Sequence, residues 1–214
     1  MTHTAAVTDR RRRRRQETIQ EILAIAVEIM AAHGVAALSL SDVARHLGIQ
    51  PPSLYKYFPS KLALYDAVFA DGARRVRDEF RAGAASAEPG LPALAAGLER
   101  CARFTLANAV YSQLLYWRPV PGFTPSPEAY QPAQEFTADV TAVLRTAADL
   151  GQVHPDAATD EGHTLLSVLV SGALSQQMAN EPDANFDNAR YARLLPQLLD
   201  MFLAVYPPSE ERGS

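Results

Sequence analysis

The chain has 214 residues, of which 48% are hydrophobic and 21% charged, enough apolar material for a sizeable core and too little charge for wholesale disorder. Its net charge of −4 is unevenly placed: residues 1–61 hold nine Lys/Arg against five Asp/Glu, and residues 62–214 hold eleven against nineteen. A single cysteine, Cys101, excludes an intrachain disulfide and a thiolate-built zinc site, and no apolar run approaches the roughly 18 residues needed to span a bilayer.

Alanine, leucine, arginine and glutamate dominate and long alternating runs are absent, so an all-α protein is expected. A basic end on an acidic body implies that only the first segment meets a polyanion. The lone cysteine fits a reducing cytoplasm. No apolar stretch follows the N-terminal arginines, so no secretory signal peptide is expected.

Residues 1–9 read as disordered. Arg10, Arg11, Arg12, Arg13, Arg14 and Arg15 form an unbroken basic run with two readings: a solvated, self-repelling tail, or an arm lying against DNA phosphates or in a minor groove. Residues 1–15 are thus expected as a disordered basic arm. Gln16 to His33 is the first strong helix, with Ile19, Ile22, Leu23, Ala26, Val27 and Met30 on one stripe and Gly34 ending it.

Ser39 to Lys61, SLSDVARHLGIQPPSLYKYFPSK, reads as two short helices joined by a tight turn. Leu40, Val43, Ala44 and Leu47 give the first an apolar face, and Ser39 or Ser41 can cap it. Gly48 can take the left-handed conformation that ends a helix. Pro51 and Pro52 suit the first turn of the second helix, where an N–H would be unpaired anyway. Leu54 and Phe58 face inward, and Ser60 can cap the next helix. The outward face carries hydroxyls, aromatic rings and a cation, with no acid between Gly48 and Lys61, which suits phosphates and base edges. A plain helical hairpin with a solvated face is the alternative.

Residues 17–66 resemble the N-terminal domain of the TetR (tetracycline-repressor) family of bacterial regulators, through AAHGVAALSLSDVARHLGI followed by PPSLYKYFPSKLALYDAV. The adjacent prolines and the long arginine run depart from the family pattern. The resemblance implies a helix-turn-helix head over residues 16–60, whose third helix enters the major groove, and a ligand-binding and dimerisation body over 61–214, with about nine helices in all. It also implies that Ser41 contacts phosphate and that Gln50, Pro51, Pro52 and Ser53 lie nearest the bases. Tyr55, Tyr57 and Lys61 would anchor the DNA backbone, and Lys56 would reach phosphate or a guanine edge. Tyr55 is alternatively a packing residue and Lys61 a solvated helix end.

Ser60 to Ala82 is expected as one long helix, its arginines 74, 75, 77 and 81 forming solvated pairs with Asp71, Asp78 and Glu79. A helix over Leu91 to Ala109 is followed by the short, large-residue segment Val110 to Trp117 and a rigid proline loop over residues 118–127. Ser126, Pro127 and Glu128 then open a helix reaching Leu150, with a bend expected near Pro132. The aromatics concentrated over residues 104–136, Phe104, Tyr111, Tyr116, Trp117, Phe123, Tyr130 and Phe136, read either as ordinary core or as the wall of a largely apolar pocket, with Phe69 and Leu115 as further candidates for that wall. His163 could donate to a ligand in it, or be a hydrogen-bonded core histidine. YSQLLYWRPVPGFTPSPEAY also resembles the C-terminal domain of a TetR subgroup common in actinobacteria, and names no ligand.

Asp156 to Asn180 and Asn188 to Tyr206 are the last expected helices, the latter kinked at Pro196. Both are more apolar than one buried face requires. Leu165, Leu169, Gly172, Gln176, Leu195, Leu198, Leu199 and Phe202 are therefore candidates for a four-helix dimer interface, which a palindromic DNA site would demand. No Gly-rich phosphate loop, G-x-S-x-G motif or acid–base pair is found, and no cofactor or metal is implied. The expectation is a cytoplasmic homodimer that binds a double-stranded operator and a small, largely apolar effector, without membrane association and without enzymatic activity. In the family, repression relieved by ligand is the usual sign. Activation, a ligand-free architectural role, or a carrier whose head is vestigial are the alternatives.

Overall fold

The computed structural model describes residues 2–117 and 119–208, giving the backbone alone for residues 2–8. Among the described residues it is all-helical, with nine α-helices and short helical turns between them. The head comprises α1 (Thr2–His33), α2 (Leu40–His46) and α3 (Pro51–Leu54), and the body α4 (Lys61–Ala84), α5 (Leu91–Ala107), α6 (Ala109–Ser112), α7 (Pro127–Asp149), α8 (Asp160–Asn180) and α9 (Leu195–Val205).

The local signals of the head act as their chemistry dictates. The Ser39 side chain accepts from the Asp42 N–H at 3.5 Å, and Ser60 Oγ accepts from the Ala63 N–H at 3.1 Å. Gly48 ends α2 with φ 67°, and the chain turns so that the Ile49 N–H donates to the Ala44 carbonyl at 3.0 Å. Pro51 and Pro52 occupy the first turn of α3, and Leu54 at its end and Phe58 just after it are buried in the same hydrophobic cluster as Ile22, Ala26 and Met30 of α1.

The basic run is helical, contrary to the expected disordered arm, because it continues α1. Arginine is a good helix former, and extending a formed helix avoids the cost of nucleation. The expectation for Met1 lies outside the described residues, as does Arg118 of the proline loop.

In the body, α4 lies against α5 so closely that a Cβ on Gly83 would meet the Ala96 carbonyl oxygen at 2.5 Å. Helices α4 and α7 run parallel, joined by Asp66 to Ser126, Arg77 to Glu135 and Arg81 to Asp139. The α4 arginines are thus not merely solvated intrahelical pairs: two reach α7, and Glu79 pairs with Arg100 of α5 at 2.7 Å. Pro132 lies within α7.

Three further elements differ from expectation. Residues Gln113–Trp117 form a π-helical turn after α6. Helix α8 begins at Asp160, because Pro155–Ala158 is a separate 3₁₀ turn in which the His154 side chain accepts from the Asp156 N–H. Helix α9 starts at Leu195, with Pro196 in its first turn; the proline begins the helix instead of kinking a longer one.

Two hydrophobic clusters fill the molecule. The first does not stop at residue 60: it runs from Ile22, Val43 and Leu54 through Leu64, Tyr65 and Phe69 to Tyr111, Phe123 and Ala129. The second joins α4, α5 and α7 to α8 and α9 around Phe80, Leu98, Leu144, Leu166 and Phe202.

Candidate nucleic-acid interface and effector cavity

The face around α3 is polar and open. Ser41, Gln50, Pro52, Tyr55, Lys56 and Lys61 are exposed, and Pro51, Ser53 and Tyr57 are half-buried. Tyr55 is 52% exposed, which removes its packing alternative. Three of these residues, Lys56, Tyr57 and Lys61, meet side or main chain from elsewhere in the molecule. Lys61 Nζ donates to the Ala36 carbonyl at 3.1 Å and lies over the Tyr65 ring, and Arg15 lies over the Tyr57 ring, 5.1 Å from its centroid. Arg15 also donates to the Lys56 carbonyl at 3.4 Å. The basic run is thereby brought up to the α3 face, with Arg10 to Arg14 exposed beyond it.

Two small cavities lie beneath α4 in the body. One, of about 160 Å³, is lined by Phe69, Ala73, Val76, Leu115, Tyr116, Tyr130, Ala133 and Phe136. The other, of about 100 Å³, is lined by α5 and α8 residues including Leu98, Cys101, His163, Ser167 and Ser171. Val76, Tyr116 and Phe136 border both, so the two are neighbours across a shared wall. Of the sequence candidates, Phe69, Leu115, Tyr116, Tyr130, Phe136 and His163 line this space. The remaining four do not. Phe104 and Tyr111 stack on one another at 6.2 Å, and Phe123 is buried between Tyr65 and Phe69. Trp117 is 41% exposed. The residues missed by sequence reasoning are Val76, Cys101, Ser167 and Ser171. Within the π turn, Tyr116 borders both cavities while Trp117 is left exposed.

Burial governs the titratable groups there. It pushes the Tyr116 phenol up to about 12, which the nearby Thr105 hydroxyl only partly offsets. Burial likewise pushes the Cys101 thiol up and lowers His163, against a smaller opposing pull from Asp160. A larger groove, about 450 Å³, lies between α5 and α9 and is bordered by Glu99, Asp187, Arg193 and Asp200. The smaller pair differs in that Phe69 and Val76 on its wall belong to α4, the helix that leads out of the head.

Head and cavity share direct ties. The Tyr65 hydroxyl donates to the Val35 carbonyl, at the corner between α1 and α2, at 2.6 Å. Phe123 packs against Tyr65 and Phe69, and Tyr130 stacks on Phe69 at 6.1 Å. Ser126, the cap of α7, donates from its N–H and its hydroxyl to the Asp66 carboxylate at 2.8 and 2.6 Å. Deeper along α4, the buried Asp71 accepts from Arg74, Arg75 and the Tyr111 hydroxyl. Burial, then the neighbouring Asp71 charge, pushes the Tyr111 phenol up to about 12.

The expected dimer surface is partly core. Phe202 is 0% and Leu195 5% exposed within one chain, because the apolar α9 turns this face onto α5 and α8. Leu165, Leu169, Leu198 and Leu199 are half-buried, and Gly172 and Gln176 are exposed. The apolar residues left open are instead Val168, Leu194, Met201 and Val205, at 61, 42, 58 and 58% exposure. Among the described residues, no cluster of three or more His, Cys, Asp or Glu is arranged to hold a metal ion, and no helix is long and apolar enough to cross a membrane.

Comparison with known proteins bears on the head first. Residues 22–68 match the model of bacterial regulatory proteins of the TetR family. A 52-residue stretch is 42% identical to MftR of Mycobacterium tuberculosis, a candidate transcriptional regulator of mycofactocin biosynthesis; it covers 24% of this chain, and the chain spans about a quarter, 26%, of that relative. Two solved structures agree over nearly the whole length. One is a TetR family transcription regulator from Marinobacter aquaeolei VT8, with a TM-score of 0.66 and 17% identity, covering 92% of this chain and 100% of its own. The other is RolR in complex with resorcinol, with a TM-score of 0.63 and 14% identity, covering 92% and 91%. At such identities the structural likeness establishes the fold. Residues 22–68 thus match the TetR family of bacterial regulatory proteins, and the described chain takes an all-helical fold similar to that of a solved TetR family regulator.

Proposed function

We propose that the protein is a cytoplasmic, homodimeric transcriptional repressor that binds a palindromic operator and releases it when a small, largely apolar effector enters the body. The observation that carries this reading is the continuity of the first hydrophobic cluster, which includes α1, α2 and α3 side chains as well as Phe69 at the cavity wall. A change in the cavity that moves Phe69 must be accommodated by the core of the head, since packed interiors do not deform continuously. An effector then switches the protein only to the extent that it prefers one arrangement of the two heads.

The α3 face, with Gln50, Pro51, Pro52 and Ser53 nearest the bases and Ser41, Tyr55, Lys56, Tyr57 and Lys61 on the backbone, supplies the reading surface. Arg10 to Arg15 add sequence-independent attraction along the exposed N-terminal part of α1. The dimer forms through the open apolar stripe of Val168, Gly172, Leu194, Leu198, Met201 and Val205, giving the two-fold symmetry a palindrome needs. RolR, a protein of this fold, has been solved with a compact aromatic ligand, which favours the same use of the body here. A ligand-free architectural role fits poorly with two cavities beside the helix that carries the head.

Selection of duplexes from a random pool by the full chain tests the reading. A two-fold-symmetric consensus is the expected result; a pool that stays random contradicts it.

A further inference from the structure

The helical form of the arginine run gives it a direction. Helix α1 continues unbroken through Arg10 to Arg15, so each side chain there is turned about 100° from the last. Two observations fix which way the run faces. Arg15 lies in register with the buried stripe of α1, four residues before Ile19 and seven before Ile22, which is 0% exposed. Its guanidinium sits 5.1 Å from the centroid of the Tyr57 ring and donates to the Lys56 carbonyl at 3.4 Å. The Arg15 side of α1 is therefore the side of the α3 face.

Counting back from Arg15 at about 100° per residue divides the run. Arg11 and Arg12 fall within about 40° and about 60° of Arg15, on the α3 side. Arg10 and Arg13 fall about 140° and about 160° away, on the opposite side, and Arg14 lies between. The acids divide as well: Asp9 and Glu17 each stand four residues from Arg13 and so share its face. Over residues 9–17 the far face thus holds two arginines and two carboxylates, and the α3 side three arginines and no acid. Arg11 and Arg12 are exposed, about one turn of helix beyond Arg15.

We infer that the run is a rod with two unlike faces, in which Arg11 and Arg12 grip phosphates of the duplex read by α3 while Arg10 and Arg13 face away and leave the DNA untouched. The inference rests on the DNA-binding reading above and names the residues that make its sequence-independent part. A flexible arm would present its cations alike, since each could swing to a phosphate. A helix held at Arg15 and continuous with the packed stripe of α1 cannot turn its far face inward without unwinding. Arg15 is itself engaged by Tyr57 and Lys56, and acts as the positioning residue of the rod.

Two double variants of the full chain test it by removing the same charge from opposite faces: Arg11→Gln with Arg12→Gln, and Arg10→Gln with Arg13→Gln. Glutamine is close to arginine in helix propensity, and circular dichroism checks that helix content is equal. Anisotropy with a selected palindrome carrying flanking base pairs, over a series of salt concentrations, gives the slope of log affinity against log salt. The first pair is expected to flatten that slope by about 0.9 for each phosphate no longer neutralised, and the second to leave it within error of the unaltered chain. Equal flattening by the two pairs, flattening by the second alone, or flattening by neither overturns the inference. An unaltered chain that binds DNA but prefers no palindrome contradicts the regulator reading instead, and the same slopes on a random duplex still decide between the faces. A chain that binds no duplex overturns both.

Discussion

The Tyr65 hydroxyl, fully buried on α4, donates to the Val35 carbonyl at 2.6 Å and so fastens the helix leading into the body to the corner between α1 and α2. Replacing it in Tyr65→Phe keeps the ring against Phe123 but strands a buried carbonyl. The expected cost is about 1–3 kcal/mol of unfolding free energy, read as a lower urea midpoint with unchanged slope. The same variant should narrow the difference in operator affinity with and without effector. An unchanged midpoint would mean that the bond contributes nothing net.

Val168 and Met201 are 61 and 58% exposed on the open stripe of α8 and α9. Val168→Glu together with Met201→Glu places charge on that stripe without entering the core of the single chain. Sedimentation should show a monomer with native circular dichroism, and operator affinity should fall with the loss of the second head. A variant that stays dimeric puts the interface elsewhere.

These two predictions also mark how far the sequence could be read. The head was legible because its signals are local: the Ser39 and Ser60 caps, Gly48 at φ 67°, the paired prolines opening α3, and Leu54 with Phe58 four apart. The body was not, because its faces are chosen by neighbours distant in sequence. Helix α9 is apolar over most of its circumference, so nothing in its pattern says that Phe202 faces α5 and α8 while Met201 faces outward. At residues 116 and 117 a π turn replaces α-helical spacing, so the pattern of the sequence does not say that Tyr116 lines the space while Trp117 is exposed.

The basic run yields a prediction about salt. With Arg15 held against Tyr57 and Arg10 to Arg14 exposed beyond it, alanines at positions 10–15 should weaken all duplexes alike and flatten the plot of log affinity against log salt, by about 0.9 for each phosphate that is no longer neutralised. A slope identical to that of the unaltered protein would show that the arginines do not touch DNA.

His163 gives the acid limit. Burial lowers its pKa below the ordinary 6.5, so between the two values the unfolded chain holds a proton that the folded chain does not. Stability should therefore be undiminished by this residue above pH 6.5 and decline as the pH falls below it, until the folded form also protonates. His163→Gln should remove that part of the decline in a series of urea titrations from roughly pH 7.5 down to about 5, a range that brackets the ordinary histidine value. A variant whose decline matches the parent's would assign the acid sensitivity to other groups.

The most direct test of a two-fold, sequence-specific reading head under the control of the body is the ratio of affinities for a selected palindrome and a scrambled duplex of the same length, measured by anisotropy at physiological salt. The expected result is preference for the palindrome by about a thousandfold or more, with two chains on each duplex. Equal affinity for the two duplexes would contradict the account at its root.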